Sequence, residues 1–287
     1  MSLTAIDAHH HLWDLSRREQ SWLAGPETAP IRRDFTVSDL AGAVAGTGIG
    51  RTVLVQVLAD IAETEEFLAL GDTCDLLAAV VGWADLTSPR LAEDLQRLRE
   101  GRGGHLLAGI RHLVQSEPDP GWLTRTDVIA GLRTVASQHL TYDLLVRPRQ
   151  LPAAIAAVRA VPELTFVLDH AGKPPIASGS LLAWASLLGE LAAEPNVFCK
   201  LSGLVTEADP QTWTVDGLRP YAEVVLDAFG ASRVMFGSDW PVCLLADSYD
   251  RVWTAARELT AGLSGAERDA VFGGSATRAY QLEGRRP

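Results

Sequence analysis

Three consecutive histidines, His9, His10 and His11, lie near the N-terminus of a chain that contains seven histidines in all. Asp7 stands two residues before His9, and Trp13 two residues after His11. Imidazole groups exchange protons near neutral pH and bind divalent metal ions, so this stretch predicts a catalytic or metal-binding role. Alternate side chains of a strand share a face, which puts His9 and His11 on the face of Asp7 and His10 on the other. We expect His10 to pack against helices with its hydrogen bonds satisfied.

Polar or ionisable side chains also end most of the later apolar runs. They are Gln56, Trp83 with Asp85, Arg111 with His112, Asp169 with His170, Lys200 with Ser202, and Asp239, while Tyr142 and Asp143 lie within another run. A charge in an apolar strand is costly unless it is used, so these residues are candidates for one shared site. Cys199, between Phe198 and Lys200, is expected to face outward as inert packing.

The elements that would position these residues alternate along the chain. The strand candidates are TAIDAHHHL (4–12), RTVLVQVL (51–58), LLAAVVGWADL (76–86), LLAGIRHLV (106–114), LTYDLLV (140–146), LTFVLDH (164–170), NVFCKLSG (196–203) and RVMFGSDW (233–240). Helix-like segments include residues 62–74, 91–101, 151–162, 180–195 and 219–230. Mostly continuous apolar strands are typical of a parallel sheet buried on both faces.

This order predicts an α/β fold, a (β/α)8 TIM barrel with its active site at the C-terminal ends of the strands. A doubly wound sheet is the rival, but its Gly-rich phosphate loop is missing after the first strand. No linker divides the chain, so we expect one domain over residues 1–287. Residues 16–36 form a long polar segment with Pro and Gly, expected to be an elaborated first βα loop over the active face.

Composition limits the class of partner. The net charge is -11, which argues against a nucleic-acid partner because such binding needs clustered Lys and Arg. The three cysteines, Cys74, Cys199 and Cys243, fit neither a disulfide framework nor a zinc knuckle. No apolar run reaches transmembrane length, and no signal peptide is visible. We expect a cytoplasmic protein with a small-molecule substrate and no membrane partner, and leave a homo-oligomer open.

Three motifs carry a family resemblance. DAHHHLW (7–13), VLDHAGKP (167–174) and FGSDWPV (236–242) together resemble the amidohydrolase superfamily, and more narrowly its lactonase branch of sugar-lactone hydrolases, such as fuconolactonases, and pyrone-dicarboxylate lactonases. The match runs from about Ile6 to Leu282. It implies a distorted TIM barrel and carries over His9 and His11 as the strand-one pair, His170 as the strand-six histidine and Asp239 as the strand-eight aspartate.

One departure from the family pattern concerns metal. Metal-dependent members place a further ligand, a carboxylated Lys or a His, at the end of strand four or five, where this chain has Arg111 and Tyr142. His9, His11 and Asp239 could still bind one Zn²⁺. Arg111 and Lys200 would repel it, and the lactonase branch includes enzymes that work without metal. We therefore expect no required cofactor and leave a weakly held single divalent ion open.

These residues predict hydrolysis of a sugar (aldono-) lactone by water that Asp239 activates as a general base, and a carboxylate among histidines and apolar walls can have its pKa tuned toward neutrality. His9, His11 and His170 would hold the water or polarise the carbonyl. The expected substrate contacts come from Arg111, Lys200, Tyr142, Gln56, Trp13 and Ser202. The alternatives are a lactonase for a carboxylated ring such as a pyrone dicarboxylate, a Zn-dependent amidohydrolase or decarboxylase, and a catalytically silent binding barrel.

Overall fold

Eight parallel strands lie in chain order around a barrel, each pairing with the next. The computed structural model describes residues 4–283, so both ends of the predicted 1–287 domain lie outside the described residues. The strands are β1 (Ala5–His10), β2 (Ile49–Val55), β3 (Leu77–Gly82), β4 (Leu107–His112), β5 (Thr141–Leu144), β6 (Phe166–Leu168), β7 (Val197–Leu201) and β8 (Val234–Phe236). Each falls in or overlaps one predicted run, which confirms the (β/α)8 fold.

The barrel closes between β8 and β1 through a short bridge. His10 pairs with Trp240 in parallel. The amide of His11 donates to the carbonyl of Trp240 at 2.6 Å, and the amide of Asp239 donates to the carbonyl of His9 at 2.8 Å. Trp240 lies beyond the end of β8, so this closure is an isolated bridge and not a continuous ladder like the other strand pairs. The closure places the candidate residues His9 and His11 next to Asp239.

Helices follow the strands and cover the barrel. They are α1 (Val37–Val44), α2 (Ile61–Gly71), α3 (Leu91–Glu100), α4 (Thr126–Ser137), α5 (Leu151–Ala160), α6 (Leu182–Ala192), α7 (Leu204–Glu207), α8 (Val215–Phe229), α9 (Tyr249–Leu259), α10 (Gly265–Asp269) and α11 (Ser275–Ala279). The five predicted helical segments correspond to α2, α3, α5, α6 and α8. The helix α8 begins before the predicted residue 219 because the Thr214 side chain caps it by accepting from the amide of Gly217. Within residues 4–283, no helix has both the length and the apolarity needed to cross a membrane.

The apolar core has two layers. The larger lies between strands and helices and includes Leu54, Tyr142 and Leu168. The smaller includes alternate strand residues such as Val53, Val55, Val81, Val167 and Met235, together with Tyr280 and Leu282 from the C-terminal segment. The Thr141 hydroxyl donates to the carbonyl of Ala279 at 2.7 Å, which holds α11 against the start of β5. The C-terminal segment therefore covers the amino end of the barrel, and the carboxyl end carries the site.

A β-bulge in β1 reverses the expected facing of one residue. Asp7 pairs with Thr52 and His10 with Leu54, so β1 has one residue more than β2 between these two pairs. Asp7 consequently faces the helices, where its carboxylate accepts from the Tyr249 hydroxyl of α9 at 2.9 Å. The expectation that Asp7 shares the face of His9 and His11 is wrong, because strict alternation does not continue through a bulge.

Candidate active site

The four predicted catalytic side chains meet at the carboxyl end of the barrel. Oδ1 of Asp239 lies 3.7 Å from Nε2 of His9, 3.5 Å from Nε2 of His11 and 3.9 Å from Nε2 of His170. All four side chains are buried. One carboxylate oxygen, from the segment after β8, is thus surrounded by three imidazole nitrogens, which come from β1 and from the segments after β1 and β6.

Each of these imidazoles is held by its other ring nitrogen. The Nδ1 partners are the Val55 carbonyl for His11 at 2.8 Å and the Ser202 hydroxyl for His170 at 2.9 Å. Nδ1 of His9 lies 3.0 Å from the Lys200 ammonium and 3.3 Å from the Asp169 carboxylate. A partner on Nδ1 fixes the ring and directs Nε2 toward the shared centre. Ser202, predicted as a substrate contact, therefore orients His170.

The backbone at two of these residues is unusual. His170 has φ 52° and Asp239 has φ 56°, both in the left-handed region that residues other than glycine rarely adopt. The amide of Asp239 is tied to the carbonyl of His9, as described above. Such conformations are found where surrounding structure enforces them, often at functional sites. Here they follow short strands and turn both side chains toward the same centre.

A buried ion-pair network lies beside His9. Asp169 accepts from Nη1 of Arg111 at 3.0 Å and pairs with Nζ of Lys200 at 2.9 Å. Lys200 also donates to Asp143 at 2.6 Å and is fully buried. The prediction that Lys200 reaches the barrel mouth and contacts substrate is wrong, because its ammonium is used to neutralise two buried carboxylates.

Two further predicted substrate contacts point elsewhere. Tyr142 packs in the strand–helix layer with its ring 6.1 Å from that of Phe166, and its buried hydroxyl has no hydrogen-bond partner among the described residues. Its neighbour Asp143 faces the barrel interior instead. The side-chain amide of Gln56 donates from Nε2 to the backbone carbonyl of Arg111 at 3.2 Å. The backbone carbonyl of Gln56 accepts from the Arg111 guanidinium. Tyr142 is therefore not a site residue, and Gln56 positions Arg111.

A cavity of about 380 Å³ opens over this centre. Its walls come from the carboxyl end of the barrel and the first loop: His11, Ser21, Trp22, Val57, Leu58, Arg111, Leu113, Gln115, Ser116, Leu145, His170, Lys173, Asp239 and Val242. Ser21 and Trp22 belong to residues 16–36, so the loop expected to cover the active face does so. The volume is in the range of small-molecule sites.

Trp22, not Trp13, is the aromatic residue of this cavity. Trp13 is only 4% exposed, donates to the Arg33 carbonyl at 2.7 Å, and packs edge-on against Trp22 at 5.4 Å. It lines a neighbouring cavity of about 410 Å³, bounded by the first loop and α2, that contains none of the clustered histidines. The expectation that Trp13 stacks on a substrate is wrong, because its ring supports Trp22 from behind.

The cations that line the active cavity are already paired. Arg111 is held by Asp169, and Lys173 donates to Glu207 at 2.5 Å. Oε1 of Gln115 and Nε of Arg111 have no hydrogen-bond partner among the described residues, but the charge of Arg111 is balanced by Asp169. The cavity therefore offers neutral hydrogen-bonding groups more readily than an unpaired positive charge.

His10 and His112 face away from the cavity. His112 stacks on Trp122 at 4.3 Å and contacts Glu117 at 2.7 Å. His10 is fully buried, and neither ring nitrogen has a hydrogen-bond partner within residues 4–283. His10 is a packing residue, as expected, but the expectation that its hydrogen bonds are satisfied is wrong. Burial lowers the pKa of His10 to about 3, so the ring is neutral.

The protonation states at the centre differ from those expected. Burial alone would raise the pKa of Asp239, but His170, His11 and His9 outweigh it and hold this pKa well below its usual range. Burial lowers the pKa of His170 to about 4, against the opposing effect of Asp239. Asp239 is thus an ionised carboxylate beside a neutral imidazole, and its surroundings shift its pKa away from neutrality and not toward it.

The donor set fits one divalent ion. Ligand atoms of His9, His170 and Asp239 lie within 4.8 Å of one another, and Nε2 of His11 is 3.2 Å from Nε2 of His9. All three histidines present Nε2 while Nδ1 is held by another group, as is common for metal ligands. The structure therefore adds His170 to the predicted ligands His9, His11 and Asp239.

Several residues of the site were assigned no role from the sequence, although Asp143 and Asp169 stood among the candidates. They are Asp143, Asp169, Lys173, Gln115 and Trp22. Asp143 and Asp169 carried a usable signal, since each is a carboxylate in or just after an apolar strand. Trp22 and Gln115 carried none, because loop residues do not indicate which cavity they face.

Comparison with known proteins gives consistent relatives. A family model described as "Amidohydrolase" matches residues 6–282. An L-fucono-1,5-lactonase of Burkholderia ambifaria is 41% identical over 285 residues, which cover 97% of this chain and 96% of that protein. The similarity therefore spans the barrel and all the site residues described above.

Solved structures share the fold. A crystal structure of an amidohydrolase from Burkholderia multivorans with bound Zn superposes with a TM-score of 0.91 at 41% identity, covering 97% of this chain and 99% of that chain. A structure titled as a putative 2-pyrone-4,6-dicarboxylic acid hydrolase from Pseudomonas putida gives 0.73 at 25% identity, with 99% of each chain covered.

Proposed function

The chain belongs to the amidohydrolase family, and we propose that it hydrolyses the ring ester of a neutral sugar lactone. The observation that carries the proposal is the ionised Asp239 among three histidines beneath a cavity whose cations are already paired. The 41% identity to an L-fucono-1,5-lactonase supports a sugar lactone as substrate.

The paired cations distinguish the two classes of lactone. A ring that carries carboxylates would need unpaired positive charge at the cavity wall, because burying an uncompensated charge costs several kcal/mol. Arg111 and Lys173 instead contact Asp169 and Glu207. A polyhydroxylated neutral ring suits the neutral polar side chains of the cavity wall and the Trp22 face, since sugar hydroxyls form hydrogen bonds and ring C–H groups pack on aromatic rings. Lactone hydrolysis on a carboxylated ring is therefore the less favoured alternative.

In the proposed reaction, Asp239 takes a proton from water as the water oxygen bonds to the lactone carbonyl carbon. His170, neutral and 3.9 Å from Asp239, orients this water. Arg111 stabilises the oxyanion that forms on the carbonyl oxygen. The ring C–O bond then breaks, Asp239 returns the proton to the alkoxide leaving group, and an open-chain hydroxy acid results.

We propose that this reaction does not require metal. His9, His11, His170 and Asp239 would hold a divalent ion, and a bound ion would polarise the carbonyl and acidify water. However, Nη1 of Arg111 is 3.4 Å from Nε2 of His9, and Nζ of Lys200 is 3.0 Å from its Nδ1. Two cations this close to a ligand weaken binding of a dication.

A lactone panel read with a pH indicator tests the proposal. It contains neutral aldonolactones, including L-fucono-1,5-lactone, and carboxylated lactones. We expect kcat/KM to be at least about 100-fold higher for the preferred neutral lactone, since an unpaired buried charge is penalised by several kcal/mol. Preference for a carboxylated ring would favour the pyrone-dicarboxylate alternative. Binding without turnover, or turnover of amides alone, would reject lactone hydrolysis. The single domain, the cytoplasmic location and a homo-oligomer remain predictions.

A further inference from the structure

A line of buried polar contacts joins the C-terminal segment to His9. We propose that Tyr280, at the opposite end of the barrel from the cavity, is a positioning residue that holds the Lys200–Asp169–His9 arrangement in place for catalysis. The inference rests on the proposed lactone hydrolysis for its kinetic readout, and it assigns a functional role to a residue that cannot touch the substrate.

The contacts are short and continuous. The Tyr280 hydroxyl lies 2.8 Å from Oδ2 and 3.0 Å from Oδ1 of Asp143. Oδ2 of Asp143 accepts from Nζ of Lys200 at 2.6 Å. The same Nζ lies 2.9 Å from Oδ1 of Asp169 and 3.0 Å from Nδ1 of His9. All five side chains are fully buried, so no bulk water competes for these contacts.

Tyr280 constrains the Asp143–Lys200 pair from two sides. Its hydroxyl donates to the carboxylate, and its ring lies 5.4 Å from the ammonium, within reach of a cation–π contact. Lys200 has a flexible stem and one ammonium to share among Asp143, Asp169 and His9. A second donor to Asp143 reduces the demand of that carboxylate on Lys200, which lets the ammonium stay beside Asp169 and His9.

Loss of the Tyr280 hydroxyl should therefore be felt at His9. Asp143 would draw Lys200 toward itself, and the Nδ1 side of His9 would lose part of its support. Buried polar networks couple in this way because each member lacks an alternative partner. Nε2 of His9 faces Asp239, so a small rotation of the ring changes the geometry of the reacting centre.

The chain supplies a matched control. Thr141, like Asp143, is in β5, and its hydroxyl donates to the Ala279 carbonyl at 2.7 Å. It ties the same C-terminal segment to the same strand but is not part of the line to His9. Thr141→Val and Tyr280→Phe each remove one buried hydroxyl between β5 and this segment, so a purely structural role predicts similar effects.

The kinetic test compares both variants on the lactone that the wild type hydrolyses. We expect Tyr280→Phe to lower kcat about tenfold with KM unchanged, as for other residues that orient a catalytic group. Thr141→Val should lower the melting temperature and keep kcat within about twofold. Asp143→Asn should reproduce the loss, and combining it with Tyr280→Phe should add little, because both act through Lys200. Equal kcat losses for the Tyr280 and Thr141 variants, or additive losses at Asp143 and Tyr280, would overturn the proposal.

A second readout does not depend on any substrate. The ring ¹⁵N signals of His9 are assigned by their loss in His9→Gln. Tyr280→Phe should shift them, and Thr141→Val should leave them in place. A wild type that hydrolyses no lactone would reject the proposed function alone, whereas His9 signals that do not respond to Tyr280→Phe would reject the positioning role.

Discussion

The hydroxyl of Ser202 lies 2.9 Å from Nδ1 of His170 and is the hydrogen-bond partner that fixes this ring. Ser202 follows β7 and His170 follows β6, so the contact joins neighbouring strand ends. It directs Nε2 of His170 toward Asp239, and Gly237 keeps the space clear: a Cβ there would lie 3.1 Å from the Ser202 Cβ and 2.7 Å from the His9 Cβ. The serine thus sets the orientation of the His170 imidazole without lining the cavity over the site.

Ser202→Ala should lower kcat by about tenfold or more, because residues that orient a catalytic imidazole typically matter to that extent. KM should change little, since Ser202 does not line the cavity. Ser275→Ala is the control: it removes another buried serine hydroxyl, bonded to the Ala231 carbonyl at 3.1 Å and remote from the site. Steady-state kinetics on the preferred lactone distinguish the two. Equal kcat values for both variants would remove the orienting role.

Asp239→Asn should reduce turnover by about 10²–10⁴-fold, the usual effect of losing a general base. The amide keeps the shape of the side chain, so the circular dichroism spectrum should be unchanged. The comparison is of kcat/KM with wild type on the same substrate. If the variant keeps more than half of the activity, Asp239 is not the base.

Exhaustive chelation should leave most of the activity of the wild type. The reason is the repulsion of a dication by Arg111 and Lys200, which both contact His9. The measurement is the rate before and after removal of metal, with the metal content of the sample determined in parallel. Activity that disappears with the metal and returns with Zn²⁺ would make His9, His11, His170 and Asp239 functional ligands.

Glu207→Gln should improve the use of lactones that carry a carboxylate. The substitution removes the negative partner of Lys173 and leaves an unpaired ammonium at the cavity wall. We expect KM for a carboxylated lactone to fall about tenfold, because a partly buried charge pair typically contributes about the free energy that a tenfold change in binding represents. KM for the neutral lactone should stay near that of wild type. Glu194→Gln, which removes a remote partner of Arg159, is the control; the idea fails if both variants behave alike.

The stability of the protein should fall as pH rises through the titration of Glu63. This buried carboxylate accepts from the amides of Val57 and Leu58 at 2.8 and 3.0 Å, and burial raises its pKa from 4.5 to about 7 in spite of these bonds. Between these values the folded chain binds more protons than the unfolded chain. Its contribution is therefore lost as pH rises, by at most about 1.4 kcal/mol per pH unit.

Glu63→Gln should flatten this dependence, because an amide does not titrate. Urea denaturation at pH 5 and pH 8 gives the free energies of unfolding. Glu65→Gln, an exposed neighbour on α2, should keep the wild-type difference between the two pH values. A Glu63 variant with the same difference as wild type would contradict the assignment.

The sequence sufficed to bring the candidate catalytic residues together, because barrel topology converts a position along a strand into a position in space. His9, His11, His170 and Asp239 follow or end their strands, so their convergence could be predicted before any distance was known. The same argument placed Arg111 beside them, and the long first loop over the site.

The predictions that failed had inferred the direction or partner of a side chain from neighbouring residues alone, where the structure depends on contacts with distant parts of the chain. The bulge in β1 turned Asp7 to the helices, and no residue type in that stretch indicates the bulge. On β5, Tyr142 and Asp143 are adjacent, and only the barrel decides which one faces inward. Lys200 looked like a substrate contact because its partners, Asp143 and Asp169, are 57 and 31 positions away along the chain. A one-dimensional pattern can indicate that a buried charge needs a partner, but it does not identify that partner.

Because the segment after β8 closes against β1, the proposed active site can form only when these two distant parts of the chain meet during folding. His9 and Asp239 are 230 positions apart along the chain, yet the amide of Asp239 donates to the carbonyl of His9. Helices and early strand pairs can form beforehand without producing any activity, since the base and its histidines are not yet neighbours. The rate at which turnover recovers during refolding therefore reports on the formation of a contact between distant parts of the chain, which is a slow kind of folding step.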